Sequence, residues 1–544
     1  MLFTRFFFPK ATAVAFFVCA AVCQAQTAKR FMVVAAHPLA AEAGYQVLKK
    51  GGNAVDAAVA VQMALGLAEP QASGLGGGAF LLYWDAKERR LRSYDGRETA
   101  PAAARPDRFL KADGKPMTLR EAIPGARSAG VPGALRMLEL AHRRHGKLPW
   151  AELFEAAIRA AERGFAMTPR LHGWLERVPG VKDDPRARAL YFDANGKPKA
   201  VGAPIVNREY AETLRAIAKG GADALYRGPV AADIARVLHA GNPPGDMTEK
   251  DLAEYRPVER APVCGPYRAF RVCSMGPPSS GGIAVLQTLG LLERAGFDRA
   301  PAGSVEAWHL FIEARRLAFA DRARYLGDPD FVRVPVPALL SERYLDKRAA
   351  LIGPRAMPAA NAGDPETGTS HLSIVDAEGS AVAMTTTIEA PFGNRVMVRG
   401  FLLNNELTDF DFVPGGPNQV EGGKRPRSSM APTIVFDQGD QVRIVLGSAG
   451  GAFIIGDVAK MLVGILDWKL DAQAASELPN MVGRGDAAEI EQGSAYARYA
   501  EPLRALGHEV RPREYPSGLH AIERVPGGWR GGADPRREGV ARGE

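Results

Sequence analysis

Thr369, Thr387 and Glu389 are the residues whose types and spacing hold the most chemistry in this 544-residue chain. Thr369 opens the run Thr369-Ser370-His371-Leu372-Ser373-Ile374-Val375-Asp376, which reads as a strand, and Thr385-Thr386-Thr387-Ile388-Glu389 reads as the end of its partner. Between them, Ala377-Glu378-Gly379 is a three-residue loop with Gly where a type I turn plus bulge needs a left-handed residue, so Asp376 faces Ser380. Counting outward in antiparallel register sets 369 opposite 387, with 389 on the same face because side chains alternate with period two. Two hydroxyls and a carboxylate then lie within reach of one another. The plain alternative is a surface hairpin rich in Thr because β-branched residues suit strands.

A second candidate is Gly450-Gly451, which follows the apolar strand Val442 to Leu446 and precedes a helix near Ile454 to Leu466. Backbone N–H groups at a helix N-terminus are suited to a developing oxyanion. The alternative is a tightly packed glycine turn; a phosphate loop is excluded because the Lys-Ser/Thr it needs is absent. Another glycine run, Ser73-Gly74-Leu75-Gly76-Gly77-Gly78-Ala79, matches a dinucleotide-binding turn only superficially. That turn must follow a strand and open a helix, whereas here a helix precedes and the strand Phe80 to Trp84 follows. No metal-ligand spacing of Cys or His occurs, and no cofactor is expected.

The elements that must position these residues divide by texture. Helical patterns cover Pro38 to Lys50, Ala54 to Leu67, Val131 to His145, Trp150 to Arg163, Glu209 to Ala218 and Val305 to Tyr325. The middle, Leu119 to about Ile352, is mostly helical and is expected to support the site more than form it. From Glu366 onward, strands rich in Thr, Val and Ile alternate with Gly and Asn turns, and a boundary is placed at Gly368. Periodicity alone gives an α+β fold.

Residues 1–25 read as a secretory leader: a basic start with Arg5 and Lys10, an apolar core from Ala11 to Val22, and a small-residue cleavage site at Cys23-Gln24-Ala25. The alternative is a buried N-terminal helix; the run is too short for a membrane span. Without the leader the formal charge falls from +8 to +6, spread along the chain without a basic block except an Arg- and Gly-rich end after Pro526. Nucleic-acid binding has little support from that pattern, and an anionic small substrate is compatible with it. Only Cys264 and Cys273 remain. A two-residue turn at Arg268-Ala269 sets them opposite each other, within disulfide reach, and an oxidising compartment permits the bridge; two buried free thiols are the alternative.

The stretch Thr369 to Phe410, ending in Leu402-Leu403-Asn404-Asn405-Glu406-Leu407-Thr408-Asp409-Phe410, resembles the start of the small subunit of the γ-glutamyltranspeptidases. The resemblance runs from about Met32 to Ala533-Asp534-Pro535-Arg536-Arg537. It includes Arg97-Glu98-Thr99-Ala100-Pro101, Pro278-Ser279-Ser280-Gly281-Gly282, Ala320-Asp321-Arg322, Lys424-Arg425-Pro426-Arg427-Ser428-Ser429-Met430 and Gly447-Ser448-Ala449-Gly450-Gly451. It implies a four-layer αββα N-terminal-nucleophile hydrolase, autoprocessed into a large subunit (26–368) and a small catalytic subunit (369–544) that form a heterodimer. Thr369 would be the nucleophile, with its own new α-amine as base; Thr387 would hydrogen-bond it, and Gly450 and Gly451 would form the oxyanion hole. Arg97, Ser428 and Ser429 would take the substrate α-carboxylate, since guanidinium binds carboxylate bidentately. Asp409, Glu389 and Glu406 would take the α-ammonium.

The implied activity is transfer of the γ-glutamyl group of glutathione and similar amides to water or to amino-acid and peptide acceptors, in the periplasm or outside the cell. A cephalosporin (glutaryl) acylase, a poly-γ-glutamate-cleaving relative and a non-catalytic γ-glutamyl-binding protein are the alternatives. Glu389 stands where many members have Asn, and Ala449 replaces a usual Pro, leaving the glycine turn less rigid. The short path from Asp409 to Ser428 is that of members without a lid loop.

Overall fold

The computed structural model describes residues 26–358, 368–485 and 487–544; the expected leader lies outside the described residues. Two seven-stranded antiparallel sheets form the centre. The first carries, in spatial order, Val540–Gly543, Met32–Ala35, Gly368–Val375, Ala381–Glu389, Gly78–Asp85, Arg90–Gly96 and Val258–Arg260. In the second, the order is Thr27–Ala28, Gly528–Ala533, His520–Val525, Val442–Gly447, Thr433–Phe436, Phe270–Ser274 and Val263–Tyr267.

Burial on both faces explains why these strands are so apolar, and period-two alternation sorts their side chains into layers. Leu372, Ile374, Val382 and Met384 face outward from the first sheet, into a core with the helices Pro38–Lys49, Ala54–Ala68 and Ala134–His145. Val375, Ala381 and Ala383 face inward and meet Cys273, Ile434, Val445 and Ile522 of the second sheet. Beyond the second sheet, Val272, Val435, Ile444 and Leu446 pack on the helices Gly281–Arg294, Val305–Tyr325 and Ile454–Leu466. The architecture is thus helix, sheet, sheet, helix, as expected. Among the described residues, no helix is long and apolar enough to cross a membrane.

The expected helices form within a few residues of their read boundaries. Helix Ala54–Ala68 starts with a reciprocal cap between Asn53 and Asp56, and all of its residues are buried. The helix Gly281–Arg294 was not read as one; its start was noted only as a motif. Glycines are needed there because a Cβ on Gly281 or Gly282 would collide with the carbonyl oxygens of Met430 and Met275. Cys264 and Cys273 pair across the hairpin with Cα atoms 4.1 Å apart and are joined as a disulfide.

The rejected dinucleotide loop has a packing role. Helix Ala54–Ala68 precedes it and the strand Gly78–Asp85 follows. A Cβ on Gly76 would overlap Leu402 O, and one on Gly77 would overlap Thr387 O, so the run passes directly against the backbone of a candidate site residue. Gly77→Ala is therefore expected to destabilise the protein by about 3 kcal/mol or to abolish soluble folding. Urea unfolding of this variant against Gly353→Ala, where a Cβ meets nothing within 4 Å and the backbone is not left-handed, separates collision from a general glycine effect.

Candidate active site

The loop geometry read from the sequence is present: Gly379 has φ +83°, and the Asp376 N–H donates to Ser380 O at 2.9 Å. Thr369 pairs with Thr387, and a register shift between Gly368 and Thr369 puts Gly368 opposite Glu389. Along the inner face of the pair, the seam between the sheets changes from apolar at Val375 to polar at His371, Ser373 and Thr385, and ends at Thr369 and Thr387. His371 lies between Thr385 Oγ1 (2.8 Å) and Ser373 Oγ (3.1 Å), and burial, then His520, holds its pKa well below the ordinary value. This neighbour of Thr369 is a neutral structural group.

Thr387 has a complete set of partners. Its hydroxyl donates to Gly368 O at 2.7 Å, accepts from the Glu389 N–H at 2.8 Å, and lies 3.3 Å from Thr369 Oγ1. With its one proton on Gly368 O, Thr387 Oγ1 can only accept from Thr369. Thr369 is buried, and its carbonyl accepts from Arg537 Nη1 at 2.6 Å. Arg537 also donates to Pro516 O and Ser517 O, each at 2.8 Å.

A cavity of about 400 Å³ opens beside these hydroxyls, lined by Thr369, Thr387, Arg97, Glu389, Glu406, Asp409, Ser428, Ser429 and Gly451. Gly450 sits just behind Gly451 with φ +125°, and the helix Ile454–Leu466 starts three residues on. The Ala449 N–H donates to Gly518 O at 3.2 Å, a bond that proline could not make. The turn that seemed loosened by losing Pro is tethered instead.

The cavity is lined by charge. Arg97 is buried, donates from Nη1 to Glu406 and from Nη2 to Asp409, and gives further hydrogens to Pro426 O (3.1 Å) and Arg427 O (3.3 Å). It is the counter-ion of these acids. Glu406 and Asp409 lie on one 3₁₀ turn, tied down by Asn404, whose amide bridges Gly76 O and Gly130 O at 2.7 Å each. Glu389 has φ +74°, rare for a side-chain-bearing residue, and Asn405 and Thr408 donate to its carboxylate.

Burial raises the pKa of Glu406 to about 7 and holds Glu389 well above the carboxylate range, reinforced there by Asp409 and Glu406. Glu98, buried beneath Arg97, is raised well above its ordinary value by burial and then by Glu406. Among the described residues its oxygens and Glu406 Oε2 have no donor, and a proton kept by either carboxyl would supply one to the other.

Sequence reading missed Glu98, Ser280, Arg322 and Arg537 as site residues, although each lay in a noted motif. Arg322 Nε donates to Ser280 Oγ at 2.7 Å and its Nη2 to Ser429 Oγ at 2.9 Å, so the helical middle contributes directly to the cavity. That is more than the supporting role expected of it.

Two stacked antiparallel sheets between helical layers, with a threonine at the head of a central strand facing a cavity, define an N-terminal-nucleophile hydrolase. The fold is similar to that of the cephalosporin acylase from Bacillus halodurans, with a TM-score of 0.85 and 28% identity over 100% of this chain and 99% of that one. The chain belongs to the γ-glutamyltranspeptidase family, whose model, Gamma-glutamyltranspeptidase, matches residues 40–544. It is 36% identical to the glutathione hydrolase proenzyme of Bacillus subtilis (strain 168) over 95% of this chain and 92% of that protein. It is also 37% identical to the acylase ACY 1 proenzyme of Pseudomonas sp. (strain SE83), over 93% and 91%.

The raised acids make a pH prediction. A carboxyl that keeps its proton to about pH 7 when folded stabilises the fold below its ordinary pKa, and this contribution is lost as pH rises through about 7. In an uncut Thr369→Ala protein, melting temperature should fall between about pH 5 and about pH 8, and adding Glu406→Gln should flatten that slope. An unchanged slope would mean that Glu406 is ionised throughout.

Proposed function

We propose that this chain is a γ-glutamyltransferase and glutathione hydrolase, made as a proenzyme that cuts itself between Gly368 and Thr369. The observation that carries this reading is the bonding of Thr387: one hydroxyl polarises the Gly368 carbonyl and accepts from Thr369 Oγ1. Thr369 Oγ1 attacks the Gly368 carbonyl carbon, the peptide C–N bond breaks with a proton passing to nitrogen, and an ester links Gly368 to Oγ1. Water hydrolyses the ester, leaving a Gly368 carboxylate and a free Thr369 α-amine. The products are a large subunit, 26–368, and a small subunit, 369–544, which stay together as a heterodimer.

The new amine has an ordinary pKa near ~7.7–8.0, so a useful fraction is neutral at physiological pH and takes the hydroxyl proton. Thr369 Oγ1 then attacks the γ-carbonyl of the donor, with Gly450 and Gly451 N–H groups facing the oxyanion. The leaving amine takes the proton back, and water or an amino-acid or peptide acceptor releases the γ-glutamyl group from the ester. Glu389, Glu406 and Asp409 receive the donor α-ammonium; Arg97, Ser428 and Ser429 receive its α-carboxylate, Arg97 loosening its hold on an acid as it does so.

The glutathione hydrolase relatives and the acid cluster support a γ-glutamyl donor. The acylase relatives support a glutaryl substrate, which has no ammonium to meet the acid cluster of Glu389, Glu406 and Asp409. A leader over residues 1–25 and a disulfide fit export to the periplasm or beyond.

Intact mass under reducing, denaturing conditions tests the reading. Wild type should give chains of roughly 37 and 19 kDa, the smaller beginning at Thr369, scaled by residue count from 58.2 kDa. Thr369→Ala should stay whole, and Thr387→Ala should process at least about tenfold more slowly, the scale of one lost charge-stabilising hydrogen bond. An uncut wild type that releases no glutamate from glutathione would refute it.

A further inference from the structure

The cavity holds three guanidinium groups, and they differ in their partners. Arg97 has Glu406 and Asp409, and Arg427 has Asp411 at 3.1 Å. Arg322 has no carboxylate: among the described residues its partners are the hydroxyls of Ser280 and Ser429 and the face of Phe319, 5.5 Å from the ring centre. Burial, then Arg427, pushes its pKa down to about 9 against the pull of Asp409 and Asp411, so it remains a cation at neutral pH with no carboxylate in contact among the described residues. A half-buried charge of that kind, touched by no carboxylate, favours an arriving anion.

Its hydrogens are accounted for. Nε serves Ser280, one Nη2 hydrogen serves Ser429, and among the described residues the other on Nη2 and the two on Nη1 have no acceptor. Because Ser429 Oγ accepts from Arg322, its own proton is free to be donated to a ligand. The same cavity is lined by Glu389, Glu406 and Asp409, so it holds both acids and a cation that none of them touches. That combination matches the zwitterionic end of an α-amino acid.

We propose that Arg322 binds a substrate carboxylate directly, namely the α-carboxylate of the γ-glutamyl donor, jointly with Ser429. The assignment rests on the γ-glutamyl reading above. It makes Arg322 a second cation of the carboxylate subsite, and the only one of the three with no acid to displace among the described residues.

The processed enzyme and its Arg322→Gln and Arg322→Lys variants are assayed with γ-glutamyl-p-nitroanilide and with 4-aminobutanoyl-p-nitroanilide, which differs only in lacking the α-carboxylate. Arg322→Gln should lower kcat/KM on the first by about 10- to 100-fold, the scale of a charge-assisted hydrogen bond, and on the second by less than about threefold. Arg322→Lys, which keeps the charge and not the fork, should fall between. Equal losses on both substrates overturn the proposal. So does a loss seen with glutathione alone, which would place the bound carboxylate on the leaving group. In a Ser429→Ala background the selectivity of the Arg322→Gln loss should persist; its disappearance would mean that Arg322 acts only through Ser429. A wild type inert toward γ-glutamyl-p-nitroanilide overturns the γ-glutamyl reading instead. Calorimetry with glutarate then decides the carboxylate site on its own: binding by wild type and not by Arg322→Gln upholds it, and equal binding by both overturns it.

Discussion

The register of one hairpin is the constraint on which the rest of the molecule depends. Asp376 sets it: its Oδ1 accepts from the N–H groups of Glu378 (3.0 Å) and Ser380 (2.9 Å), and its Oδ2 from Ala54 N–H at 3.1 Å. One carboxylate therefore shapes the turn and ties it to the start of helix Ala54–Ala68. A slip of one residue would turn Thr369 toward the helical layer and Leu372 toward the second sheet, reversing polar and apolar faces together. The apolar cost of that reversal protects a pair of hydroxyls that could not hold the register themselves.

Around that hairpin, electrostatic balance organises what the backbone brings together. Arg97 comes from the end of Arg90–Gly96, Glu406 and Asp409 from a turn some 310 residues on, and Arg322 from the last turn of Val305–Tyr325, where a helix C-terminus favours a cation. The acids and Arg322 line one cavity without touching. Buried groups of one sign are tolerable in a small cavity only if protons, a counter-ion or a ligand compensate them. Here burial favours the protonated form of Glu98 and Glu406, and Arg97 supplies the counter-ion.

Much of this was legible in the sequence, because it is local. The loop Ala377-Glu378-Gly379 and period-two counting place Thr369 against Thr387, and caps and apolar spacing mark helices such as Ala54–Ala68. The hidden part is non-local. Nothing near Arg537 announces that it holds the carbonyl of Thr369, 168 residues away, and nothing near Arg322 announces Ser429. The effect of Ala449 was misjudged for the same reason: its anchor, Gly518 O, belongs to a distant segment. Whether Arg97 is free or already paired is likewise a fact of three-dimensional neighbourhood, invisible in an Arg-Glu dipeptide.

The strand order carries a further consequence for the life of the protein. In the first sheet, segments from before and after residue 368 alternate: Val540–Gly543, then Met32–Ala35, then Gly368–Val375 and Ala381–Glu389, then Gly78–Asp85. The second sheet has Thr27–Ala28 on one edge and the pair Phe270–Ser274 and Val263–Tyr267 on the other, with later segments between. A nick after residue 368 thus severs the chain without dividing the fabric. Each half alone would present several raw strand edges, which invite aggregation. If the chain matures by the proposed nick, both halves keep their places in the same two sheets.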